Sequence, residues 1–131
     1  MSEIVGIGTD LVELERLERA YDQHGRRLLE RICRSGELKE RRGKPLMQHF
    51  GGLFAAKEAV LKALGTGWSQ GLGFRQVEVV EGEGGAPTIR LHDAAAARAA
   101  TLGVHRIHIS ITHERHYAMA MAVAEGDRSH A

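Results

Sequence analysis

The segment from Leu46 to Leu64 most constrains the fold. Its residues are apolar or small nearly all round a helical wheel, and a helix without a polar face has to be buried on every side. The rest of the chain must therefore wrap around one central helix. Pro45 suits its first turn, and Gly65-Thr66-Gly67 supplies its stop. Phe50, Leu53, Phe54, Leu61 and Leu64 form an apolar stripe, and the charged residues between Phe50 and Leu64 are Lys57, Glu58 and Lys62. Lys57 falls inside the stripe, so it must snorkel or meet an anion. Glu58 and Lys62 stand at i and i+4 on the flank, where a plain surface ion pair would be worth about 0.3–0.5 kcal/mol. On a helix that is otherwise buried, three charges carry a cost that a functional role would explain.

Before this helix, Ile4 to Thr9 reads as a short buried strand, with Gly6 and Gly8 allowing close backbone approach. Asp10 follows, placed to cap a helix from Leu11 to Tyr21 whose apolar residues fall at 11, 14, 17 and 21. Further helices are predicted over 26–34 and 37–42. After residue 76 the period changes from 3.6 to 2. Residues 77–79 and 88–91 read as strands joined by a glycine-rich turn. Asp93 to Leu102 is an alanine-rich helix with Asp93 at its N-cap and Gly103 past its end. Ile107, Ile109 and Ile111 alternate with polar residues, and Tyr117, Met119, Met121 and Val123 alternate with alanines. These are two strands joined by a turn over 113–116. Residues 1–131 read as a single domain, with a frayed polar tail from Glu125 to Ala131.

There is no apolar run near the ~20 residues that cross a bilayer, and the start lacks the basic region and cleavage site of a signal peptide. Together with Cys33 as the only cysteine, this gives a cytoplasmic expectation with no membrane partner. Cys33 reads as a small buried apolar residue or as a reactive thiol. The overall net charge of +1 conceals an asymmetry: from Arg26 to Lys44 eight basic residues face three acidic ones, for a local charge of +5. That stretch is either a solvated face or a surface for an acidic partner, protein or nucleic acid.

Asp10 is the second carboxylate of interest. It is a helix cap, or it converges with Glu58 on a hard oxygen site of the kind Mg²⁺ occupies, completed by substrate phosphates and water. Lys57 and Lys62 beside that site would neutralise a pyrophosphate, an arrangement suited to phosphoryl-type transfer. His105, His108, His113 and His116 crowd together, but strand alternation turns His105 and His108 to opposite faces, and no cysteine or HExxH pattern supports zinc. His113 could contact a phosphate or stand exposed in its turn.

Gly6-Ile7-Gly8-Thr9-Asp10-Leu11, Phe54-Ala55-Ala56-Lys57-Glu58-Ala59, Lys62-Ala63-Leu64-Gly65-Thr66-Gly67 and Ser110-Ile111-Thr112-His113 occur in this order. Together they resemble the bacterial holo-acyl-carrier-protein synthase family of 4′-phosphopantetheinyl transferases, over Ile4 to about Ala124. The resemblance implies the α+β 4′-phosphopantetheinyl transferase fold, an antiparallel sheet packed on a long central helix. It implies transfer of phosphopantetheine from coenzyme A to a serine of apo acyl carrier protein, with adenosine 3′,5′-bisphosphate leaving. Mg²⁺ is the implied metal, with Mn²⁺ as an alternative. Asp10, Glu58 and Lys62 are the implied catalytic residues, and Asp10 and Glu58 the metal ligands. Lys57, Lys62, Gly65, Pro87 and His113 are implied at coenzyme A, and Arg16, Arg27 and Arg31 at the acidic carrier. The family's small members are homotrimers with active sites between subunits.

Two positions depart from the family: Leu53 stands where many relatives have arginine, and Arg34 near where threonine is common. Neither touches the carboxylates. Two other readings compete. A nucleic-acid-binding module would use the basic segment, but aromatics are 5% of the chain and none lies between Arg26 and Lys44, so nucleic acid is not an expected partner. A non-catalytic trimeric subunit of the same fold would have no need of both carboxylates and Lys62.

Overall fold

A computed structural model describes residues 2–38, 43–65 and 72–127. The elements run β1 (Glu3–Glu13), α1 (Leu14–His24), α2 (Arg26–Ile32), a 3₁₀ turn (Ser35–Glu37), α3 (Gly43–Ala63), a 3₁₀ turn (Phe74–Gln76), β2 (Val77–Glu81), β3 (Pro87–Leu91), α4 (Asp93–Leu102), β4 (Val104–His113) and β5 (Tyr117–Gly126). An antiparallel sheet in the order β1-β5-β4 packs on α3, and β2 and β3 form a separate hairpin. The class is α+β, as the resemblance implies.

The central helix is buried as its composition demands: Phe50, Ala55, Ala56, Ala59, Val60 and Leu64 have no exposed surface. The sheet accommodates it through small residues. Ala118, Ala120, Ala122 and Ala124 of β5 all turn toward α3 and are buried. On β1 the fit is closer still. A Cβ at Gly6 would stand 2.0 Å from the Ala63 carbonyl oxygen, and one at Gly8 would stand 1.9 Å from that of Ala59. No side chain fits between strand and helix at either point, which is the close approach the glycines predict. The opposite face of the sheet has no cover among the described residues: Ile7 and Leu11 are 59% and 64% exposed, and Tyr117, Met119 and Met121 stand beside them.

Several boundaries differ from the sequence reading. β1 does not stop at Thr9 but pairs with β5 as far as Glu13↔Tyr117, so α1 begins at Leu14 and Asp10 is a strand residue, not a helix cap. The 11-14-17-21 spacing is compatible with a helix, but strand pairing claims its first position. The helix expected over 37–42 is, where described, a single turn ending at Glu37; residues 39–42 lie outside the described residues. At α4 the cap is His92, whose carbonyl accepts from the Ala95 and Ala96 amides, while Asp93 takes φ 51. The tail also begins later than expected. Glu125 and Gly126 belong to β5, and the Asp127 amide donates to the Gly103 carbonyl at 2.9 Å. Among the described residues no helix is long and apolar enough to cross a membrane.

Candidate active site

β1 and α3 bring three of the expected residues together. Two strand residues advance about 6.7 Å and four helix residues about 6.0 Å, so the contacts Gly6–Ala63 and Gly8–Ala59 repeat in step. The next residue in the series on β1 is Asp10, carried toward the turn of α3 that bears Glu58. The Lys62 ammonium closes the group, donating to the Asp10 carboxylate at 3.1 Å and to the Thr9 carbonyl at 3.0 Å. The Lys62 side chain is half exposed while that of Asp10 is 16% exposed. Glu58 is half-buried. Burial pushes its carboxyl above the ordinary 4.5, the Asp10 charge pushes it further, and Lys62 partly opposes them.

A carboxylate whose ionisation is disfavoured by a second one nearby suits a shared cation. Among the described residues no group of three or more His, Cys, Asp or Glu side chains is placed to hold a metal ion. A divalent cation here would therefore take two protein oxygens and draw the rest of its shell from phosphate and water, which is how Mg²⁺ is commonly held.

Pro87 and His113 lie elsewhere. They line a cleft of roughly 700 Å³ between the first half of α3, the β2–β3 hairpin and the end of β4, with Pro45, His49, Val79 and Gly85 among the other walls. Asp10, Glu58 and Lys62 do not line it. Asp10 is on the edge strand β1, whereas Ile111 and His113 of the cleft are on β4 at the opposite edge. Within one chain the Asp10–Glu58–Lys62 group and the cleft therefore lie apart. Gly65 sits just past α3 with φ 80, and its amide donates to the Lys62 carbonyl. It is exposed and outside the cleft. Thr66 and Gly67 lie outside the described residues. Arg16 on α1 and Arg27 and Arg31 on α2 are exposed, leaving their charge free to meet a partner.

Lys57 requires correction. It is 0% exposed, and its ammonium donates to Glu37 Oε1 at 2.9 Å, the Phe74 carbonyl at 3.2 Å and the Val77 carbonyl at 2.5 Å. Three N–H groups meet three acceptors, so no donor is left for a phosphate. Of the two readings open to it, Lys57 does not snorkel but meets an anion, and that anion is Glu37 of its own chain, not a ligand phosphate. The sequence reading passed over Glu37 as one acidic residue in a basic run. A lysine in an apolar stripe signals that a buried carboxylate must exist, but nothing in the sequence says which one. Leu53 is buried and apolar. Cys33 is buried, and burial pushes its thiol up to about 12, which fits the inert reading.

The comparisons with known proteins identify the family. A family model for the 4′-phosphopantetheinyl transferase superfamily matches residues 6–122. A holo-[acyl-carrier-protein] synthase of Halorhodospira halophila is 47% identical over 121 residues, covering 92% of this chain and 96% of the relative. The solved holo-(acyl-carrier-protein) synthase of Bacillus anthracis, in complex with CoA (3′,5′-ADP), superposes with a TM-score of 0.78 at 35% identity, covering 95% of this chain and 98% of the other. That of Neisseria meningitidis gives 0.84 at 33%, covering 93% and 98%.

Proposed function

The chain belongs to the 4′-phosphopantetheinyl transferase superfamily, and from that premise we propose that Asp10, Glu58 and Lys62 are the machinery with which it works. It transfers the phosphopantetheine group of coenzyme A to apo acyl carrier protein, an activity that serves fatty acid biosynthesis. The observation that carries the assignment of residues is the junction of β1 and α3, where the Lys62 ammonium lies 3.1 Å from Asp10 and Glu58 feels the Asp10 charge.

Asp10 and Glu58 would hold Mg²⁺, with Mn²⁺ as a substitute; when bound, the ion neutralises charge on the diphosphate. The carrier serine oxygen bonds to the β-phosphorus as the bond to the bridging oxygen breaks, and adenosine 3′,5′-bisphosphate departs. Glu58 is the candidate base for the serine proton. Lys62 keeps one donor in hand for the phosphate charge that grows on the leaving group. Pro87 and His113 line the cleft that receives coenzyme A, while Gly65 stands beside Lys62. Arg16, Arg27 and Arg31 dock the acidic carrier by long-range attraction that salt weakens.

The carboxylate group and the cleft lie apart within one chain, and on this reading each is half of a site. Joining the carboxylate side of one copy to the cleft of another would complete the site, and the uncovered face bearing Ile7, Leu11 and Met119 supplies the apolar surface for such a contact. A homotrimer built this way, working in the cytoplasm, is the assembly we propose. The test is to incubate the protein with coenzyme A, Mg²⁺ and apo carrier protein and weigh the carrier. Gain of one phosphopantetheine supports the reading, and an unchanged carrier with every divalent metal tried refutes it.

A further inference from the structure

Glu37 and Lys57 are the buried charged residues of the described chain, and the chemistry above uses neither. Glu37 is 4% exposed. Its Oε1 accepts from Lys57 at 2.9 Å and from the Arg34 amide at 2.8 Å, and its Oε2 accepts from the Val79 amide at 2.8 Å. Lys57 adds the carbonyls of Phe74 and Val77. One ion pair therefore joins α3, the turn ending at Glu37, the turn at Phe74–Gln76 and strand β2. Arg75 extends the tie. Its guanidinium donates to the carbonyls of Glu30 and Cys33 at the end of α2, and its own carbonyl accepts from Arg34 Nε at 2.7 Å.

A buried pair of this kind contributes little stability over an apolar replacement, yet it fixes direction at every bond. What it fixes here is the cleft. Glu37 and Val79 are both cleft walls, and the residue after Lys57 on α3 is Glu58. We propose that Glu37 is a positioning residue for coenzyme A, and that the Glu37–Lys57 pair is a strut setting the gap between α3 and the β2–β3 hairpin. This rests on the reading of that cleft as the coenzyme A site. The strut acts on the walls that hold the nucleotide, so its loss falls on coenzyme A and not on the carrier.

Full-length Glu37→Gln, Lys57→Met and the double variant test it, with KM for each substrate, kcat, calorimetric coenzyme A binding and thermal melting. Each single change strands a buried charge and lowers the melting temperature. The double variant removes both charges and melts above either single variant, though below the parent because the Phe74 and Val77 carbonyls lose their donor, so binding measured below its melting temperature decides the matter even where a single variant fails to fold. The expected result is a coenzyme A KM and Kd raised roughly ten- to hundredfold in the double variant, as small misplacements at a site do, with the carrier KM within about twofold. A double variant that binds coenzyme A as the parent does, or that weakens both substrates equally, overturns the strut while the transferase reading stands. A parent that neither binds coenzyme A nor transfers its arm overturns both.

Discussion

The Lys62 ammonium stands 3.1 Å from the Asp10 carboxylate, joining a helix residue to a strand residue 52 positions away in sequence. Lys62 is exposed, so the pair contributes little to stability. On the proposed reading its use is electrostatic. Lys62→Gln should lower kcat by about 10²-fold, the scale on which a single stabilising donor acts, and leave the melting temperature nearly unchanged. Steady-state kinetics beside a thermal melt checks this. A large loss of stability with kcat intact would assign Lys62 a structural role instead.

Glu58 yields a prediction of opposite sign for stability and activity. Burial and Asp10 raise its folded carboxyl above 4.5, so the folded state holds the proton more tightly than the unfolded state. The linkage makes stability fall as pH rises from the ordinary value through the raised one, and above that window the whole cost is present. In metal-free buffer Glu58→Gln should therefore melt at or above the parent at neutral pH and lose that advantage below the window, while transfer with Mg²⁺ is abolished. Urea melts at two pH values decide it; a variant less stable than the parent at neutral pH contradicts the sign.

Gly8 is the hinge of the geometry. A Cβ there would lie 1.9 Å from the Ala59 carbonyl oxygen and 2.8 Å from the Ala63 amide nitrogen, backbone atoms that cannot swing aside. Gly8→Ala should cost about 3 kcal/mol, the upper range for overpacking, and should move Asp10 away from Glu58. Denaturant unfolding measures the first effect. Transfer assayed well below the melting temperature measures the second, which should exceed what the unfolded fraction explains.

The separation of the half-sites predicts complementation. Glu58→Gln and a cleft-filling Pro87→Trp should each be inactive alone. Mixed after dissociation and reassembled in equal amounts, they should regain about a quarter of parental activity, since a random quarter of the contacts pairs an intact carboxylate side with an intact cleft. Activity assays on the reassembled mixture report it. Recovery no greater than the sum of the two variants would place the whole site within one chain.

Much of this was legible in the sequence, and the failures share a cause. The central helix announced itself because a segment apolar all round has one place to go. Gly6 and Gly8 signalled close approach, and alternation on β4 and β5 showed their two faces. Of the two readings of Asp10 the helix cap fails, because pairing of β1 with β5 through Glu13 is a tertiary fact that a local 3.6 period cannot reveal. Lys57 was misread for the same reason: its partner Glu37 is 20 residues away, and only folding brings them together. The placing of Asp10 and His113 at opposite edges of the sheet is likewise invisible before the strand order is known.

The account depends most on Asp10 and Glu58 acting as a pair on a divalent cation. The direct measurement is the intact mass of apo carrier protein after incubation with coenzyme A, comparing the parent with Mg²⁺, the parent with a metal chelator, and the Asp10→Asn/Glu58→Gln double variant with Mg²⁺. The account predicts a carrier heavier by one phosphopantetheine in the first reaction and an unmodified carrier in the other two. Full modification with the chelator, or by a folded double variant, would contradict it.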